Sequence, residues 1–167
     1  MPDTSAGAVH EHGPRDLGWS EPQPVPDGTW HRTAVVPCTH RACAGGVLAV
    51  HLMTSTDGRV PQQAADLATR IVAAVPGVLD DALAFLVATA RADPQAVGLD
   101  DAGAVVADVL DELSLVLDES DEWLVHVGEC PFPAADPYGI AVRMRGLRPV
   151  GLEVLEDAET EPPGTGS

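Results

Sequence analysis

Four stretches in the last third of the chain alternate apolar and polar residues with a period of two, and that alternation constrains the fold more than any other feature. "LSLVLDE" points Leu113, Leu115 and Leu117 one way. "EWLVHVGE" sets Trp123, Val125 and Val127 opposite Leu124 and His126. "GIAVRMRG" offers Ile140, Val142 and Met144 to a core and Arg143 and Arg145 to water; "PVGLEVLE" does the same with Val150, Leu152 and Val154 against Glu153. A helix would scatter such residues around its circumference, whereas a half-buried antiparallel strand sends them to one face. The connections "DESDE" and "RGLRP" have the length of hairpin loops, so these stretches predict a four-strand meander.

Upstream, "TWHRTAVVP" and "GGVLAVHLMTS" are rich in β-branched residues, bounded by Pro or Gly, and predict a hairpin closed by "CTHRACAGG". Between hairpin and meander the period changes to that of a helix. Leu67, Ile71 and Val75 recur at i, i+4 and i+8 after Pro61, and Pro76-Gly77 stops the run. Leu79, Leu83, Leu86 and Ala90 line a second helix that ends before Pro94, with Asp80 and Asp81 expected in its first turn. A third short helix is expected over "DDAGAVVADVLDE", capped by Asp100 or Asp101. The expected fold is therefore α+β: an antiparallel sheet, made of an early two-strand hairpin plus a late four-strand meander, with two or three helices packed on one face. Residues 1–28 are rich in Pro and Gly and read as a disordered leader, in which Trp19 either docks on the domain or binds a partner. Residues 29–157 form the single α+β domain, and 158–167 a disordered acidic tail.

The net charge of −17 and pI near 4.3 repel nucleic-acid phosphates and anionic membranes and favour a cationic partner; the plainer reading is that acidity keeps the chain soluble. No apolar run approaches the ~18–20 residues of a membrane span, and "MPDTSAGAVHEHGPRD" lacks the basic and apolar regions of a secretory signal. A cytoplasmic location with free thiols is the expectation. The absence of Lys and Asn beside abundant Ala, Gly, Pro and Arg points to a GC-rich bacterial genome such as an actinobacterium's, and reflects codon bias.

Cys38, His40 and Cys43 fall within six residues in a chain of three cysteines. Thiolates and imidazole are zinc ligands, and four are wanted in a tetrahedron. Cys130, with His51 or His126, is available to complete a site with Cys38, His40 and Cys43. No second Cys pair supports it, so an ordinary turn with buried thiols is the leading reading. A Cys38–Cys43 disulfide is the remaining alternative, disfavoured by a reducing compartment. No phosphate-binding glycine motif, HExxH or GxSxG occurs, His126 reads as structural, and no catalytic residue or cofactor is assigned. The acidic run containing Asp111, Glu112, Asp118, Glu119 and Asp121 is either a solvated face or a docking surface for a basic protein; Trp123 closes it as an aromatic anchor if it faces outward, and as a core residue otherwise.

From Trp123 onward, a strand with Trp, then Asp136-Pro137-Tyr138-Gly139, a strand, "GLRPV" and a final strand resemble uncharacterised bacterial α+β domains found among polymorphic-toxin immunity proteins and small accessory proteins. The resemblance covers residues 122–157 and transfers no functional residue. It implies a binding role. The sequence thus points to a non-enzymatic domain that binds a protein partner, with a zinc-stabilised accessory domain as the alternative.

Overall fold

The computed structural model describes residues 17–55, 57–101 and 110–155. Seven strands form one sheet in sequence order: β1 (Gln23–Pro24), β2 (Trp30–Pro37), β3 (Val47–Thr54), β4 (Asp111–Leu117), β5 (Glu122–Glu129), β6 (Ile140–Arg145) and β7 (Arg148–Val154). Two helices, α1 (Gln62–Ala73) and α2 (Val75–Ala92), lie between β3 and β4.

This corrects the expected antiparallel sheet of separate hairpin and meander. The sheet is mixed, because β3 and β4 run parallel, with Val50 opposite Leu115, while every other neighbouring pair is antiparallel. A long helical crossover returns the chain to the end of the sheet where β3 began, and only a parallel neighbour fits that return. Strands dominate, and two α-helices are present among the described residues. Most of the segment expected as a third helix lies outside the described residues, and Asp111 and Glu112 belong to β4.

Alternation decides the core. Leu48, Val50 and Leu52 on β3, Leu115 and Leu117 on β4, Trp123, Val125 and Val127 on β5, and Ile140, Val142 and Met144 on β6 are buried on one face. Ala64, Leu67, Ala68 and Ile71 of α1 and Leu79, Leu86 and Ala90 of α2 close over that face at helical spacing. The chain bends by 87° between the helices. Pro76 and Gly77 do not end α1 but stand in the first turn of α2, where a missing N–H costs nothing. Asp80 therefore sits beyond the first turn. No single described helix is long and apolar enough to cross a membrane.

On β7 a bulge opposite Arg143 and Met144 shifts the register, so Val150 turns outward at 42% exposure rather than joining the core as its alternation implies. At the far edge, residues 17–28 were expected in the leader. Leu17 and Trp19 instead pack against the core, β1 pairs with β2, and Ser20 answers both backbone groups of Thr33, its N–H donating to Thr33 O at 2.7 Å and its Oγ accepting from Thr33 N at 3.0 Å. The first sixteen residues and the expected tail lie outside the described residues.

Candidate functional site

The 38–46 loop, α2 and the ends of β4 and β5 meet around a cleft of about 730 Å³. Its floor is apolar, from Leu83, Leu110 and Phe132. Its rim is acidic: Asp111 and Glu129 face each other across β4 and β5, and Asp136 adds a third carboxylate. All three are exposed. Glu112, beside them, holds a φ of +53°, which a non-glycine residue rarely adopts. Arg41 and Ala42 of the loop stand on the wall.

The loop is a stapled turn. Cys38 and Cys43 are joined as a disulfide with Cα atoms 6.1 Å apart, so the leading expectation of free thiols in this turn gives way to the alternative. Backbone hydrogen bonds from Cys38 N to Gly46 O (2.9 Å) and Cys43 N to His40 O (3.0 Å) close it further. His40 is buried. Its Nδ1 accepts from Ala42 N at 3.2 Å and therefore carries no proton, leaving the Nε2–H to donate to Asp80 Oδ1 at 3.1 Å. That bond pins the loop to α2. Cys130 lines the cleft as a half-buried free thiol, pushed up in pKa by burial against a smaller opposing hydrogen bond from the Phe132 backbone. A thiol in that state is a poor nucleophile and a poor ligand. With Cys38 and Cys43 joined, no group of three or more His, Cys, Asp or Glu among the described residues is placed to hold a metal ion.

The structure splits the acidic run. Asp111 stands at the cleft, with Glu112 next to it on the opposite face of β4, whereas Asp118, Glu119 and Asp121 lie around the β4–β5 turn at the other end of the strand, ~23 Å away at ~3.3 Å per residue. Glu119 is engaged there, accepting from Ser55 N at 2.7 Å and Ser55 Oγ at 2.8 Å, and Asp118 accepts from Ser120 N at 2.7 Å. Trp123 is 2% exposed, and its Nε1–H donates to Gly146 O at 2.7 Å. It belongs to the core. In the sequence Glu129 and Asp136 flank the loop before Tyr138, and paired carboxylates in so acidic a chain carry no signal by themselves. Their signal is the cross-strand register, which brings Glu129 opposite Asp111 only once β4 and β5 are paired.

The uncovered face of the sheet gathers His31, His51 and His126. His31 Nε2 and His51 Nδ1 are 3.0 Å apart, with ring planes 16° apart and centroids separated by 5.2 Å. That separation nearly equals the nitrogen gap plus the two ring radii, so the rings lie side by side, one donating in-plane to the other. With the hydrogen of one nitrogen aimed at the lone pair of the other, the two nitrogens do not converge on a metal. Burial first, then the charges of His31 and His126, hold the His51 pKa below its ordinary value. His126 Nε2 donates to Tyr138 O at 2.9 Å, leaving Nδ1 to accept from Ser114 Oγ at 3.3 Å. This pair stands on the sheet surface and does not line the cleft.

No family model, no curated protein and no solved structure matches the chain.

Proposed function

We propose that this chain is a non-enzymatic protein-binding domain, of immunity or accessory type, whose acidic cleft receives a cationic surface of its partner. The observation that carries the reading is the Asp111–Glu129 pair. Like charges directly opposite on neighbouring strands destabilise a sheet, and here they sit at the mouth of the cleft, above an apolar floor. A basic side chain entering the cleft relieves that repulsion, while its aliphatic stem lies along Leu83, Leu110 and Phe132. The stapled loop and the His40–Asp80 bond hold one wall in place, so little ordering is left to be done on binding.

The test is a pull-down from the source organism with wild type, a cleft variant (Asp111→Lys, Glu129→Lys, Asp136→Lys) and a distal variant (Asp118→Lys, Asp121→Lys). Captured basic proteins are then followed by association rates at two salt concentrations. The cleft variant is expected to lose capture and the distal variant to keep it. Association should slow as salt rises, because screening weakens steering beyond ~8–10 Å. Equal capture and equal rates for all three proteins would refute the reading.

A further inference from the structure

The uncovered sheet face is a second surface, separate from the cleft, and its composition is unusual for this chain. Val35 is 63% and Val47 48% exposed, while Met53, Val116 and Leu124 on the same face are half-buried. Strand β3, "VLAVHLMT", reads as a near-continuous apolar run, the pattern of a strand covered on both faces, yet the helices cover only one. The charge is also different. Arg143, Arg145 and Arg148 face four carboxylates, from Glu112, Asp118, Glu122 and Glu153, a balance of 3 − 4 = −1 against −17 for the whole chain. Most of the repulsion between two such molecules therefore arises elsewhere.

Register arranges this face in rows. The middle row crosses the sheet through Thr33, His51, Val116, Leu124 and Arg143. One flanking row holds Ala49, Ser114, His126, Ala141 and Glu153; the other holds Met53, Glu122, Arg145 and Arg148. The bulge in β7 is what brings Arg148 and Glu153, five residues apart, to the same face.

We propose that this face docks a second copy of the chain, related by a two-fold axis that crosses the strands along the Val116–Leu124 row. Such an axis exchanges the two flanking rows. Arg148 then meets Glu153 of the other copy, Glu122 meets its His126, Met53 meets its Ala49, and Val116 and Leu124 each meet their own equivalents. Arg143 falls on the axis, but its guanidinium leans across Gly151 toward the rim, with nitrogens 3.0 and 3.4 Å from where a Cβ there would stand. Facing sheets pack ~10 Å apart with strands within ~30° of alignment, a twist that leaves the central rows in contact and that long Arg and Glu side chains span at the edge. Strands β2 to β7 cover ~24 Å at ~4.8 Å spacing and run for ~23 Å, so contact across the whole face, edge side chains included, buries ~1,100 Å² in all, near the ~1,000 Å² that a specific interface needs. A face that matches itself under rotation is what a two-fold dimer requires.

Sedimentation velocity of the full chain at neutral pH, over a range of concentrations, should give a mass twice 17.3 kDa. Leu124→Asp sets two carboxylates against each other at the axis and should raise the dimer Kd by ~100-fold or more, with folding checked by circular dichroism. Arg148→Glu and Glu153→Arg should each weaken the dimer by ~10-fold, and the two together should restore it. No interaction within one chain gives that rescue, because the two residues stand near opposite ends of β7. Were Leu124→Asp to misfold, the charge swap still decides. A mass of 17.3 kDa at every concentration, or a double swap no stronger than its single members, would overturn the proposal.

Discussion

Gly139 precedes β6 at a φ of +87°, and replacing it with Ala tests the packing of the β5–β6 junction directly. An added Cβ would meet Val127 O, stand 2.6 Å from His126 Nε2 and 3.2 Å from Gly128 Cα. Two of these three neighbours are backbone atoms of β5, which cannot swing aside as a side-chain tip does. The left-handed conformation costs a residue with a Cβ ~1–3 kcal/mol, and overpacking against fixed atoms another ~1–3 kcal/mol. The sum of ~2–6 kcal/mol is a large share of the stability of any single domain. For a chain of this length each kcal/mol lowers Tm by ~2–4 °C, so a drop on the order of 10 °C is expected. Urea unfolding should show a lower midpoint with an unchanged slope. Gly77→Ala is the internal control: it lies in α2 with nothing within 4 Å, so it should gain ~0.5–1 kcal/mol. A loss under ~0.5 kcal/mol at Gly139, or equal losses at the two sites, would refute the reasoning.

Opening the Cys38–Cys43 staple with Cys38→Ser and Cys43→Ser frees a short ring and should cost ~2 kcal/mol in chemical denaturation; no change would mean the His40–Asp80 bond and the loop backbone hold the turn unaided. Oxidised protein should carry less than stoichiometric zinc by elemental analysis, and one equivalent bound after reduction, with a raised Tm, would favour the metal reading of Cys38, His40, Cys43 and Cys130. The lowered His51 pKa means that the unfolded chain takes up a proton first, so this contribution to stability is present above ~6.5 and lost as pH falls through that value toward the folded pKa. The described titratable and charged groups around it on the same face are His31, His126, Asp118, Glu122 and Arg143, so urea midpoints at pH 7.5 and 5.5 should be compared with those of His51→Gln, in which the decline should shrink. Trp123→Phe removes the bond to Gly146 O and should cost ~1 kcal/mol or more, whereas an outward anchor would leave stability unchanged.

Period-two alternation located β4 to β7 because each strand has one face on a core, and the spacing of Leu67 and Ile71 located α1 for the same reason at a different period. Alternation does not say which strands are neighbours. The β3–β4 pairing depends on where the crossover delivers the chain, and no residue in either strand encodes that. Val150 misled because a bulge reverses the parity of everything before it. The acidic run looked continuous along the chain, but an extended strand separates its halves by its own length. Glu129 and Asp136, which join Asp111 at the cleft, are distant from it in sequence. The cysteine spacing was equally compatible with a turn, a metal loop and a disulfide, and the choice was made by a 6.1 Å approach that spacing alone does not determine.

The two borders of the sheet are closed in different ways, and together they limit how this molecule can aggregate. Ser20 occupies the backbone of Thr33 on one side; on the other, β7 carries a proline with no N–H to offer, a bulge that twists its backbone, and charges at both ends. A stranger's strand, or a neighbour's, finds no straight ladder to extend. Growth by adding strands side by side, the route to fibres, is thus obstructed at both ends. Stacking through the broad face remains open and stops by itself, since α1 and α2 already cover the other face of the sheet.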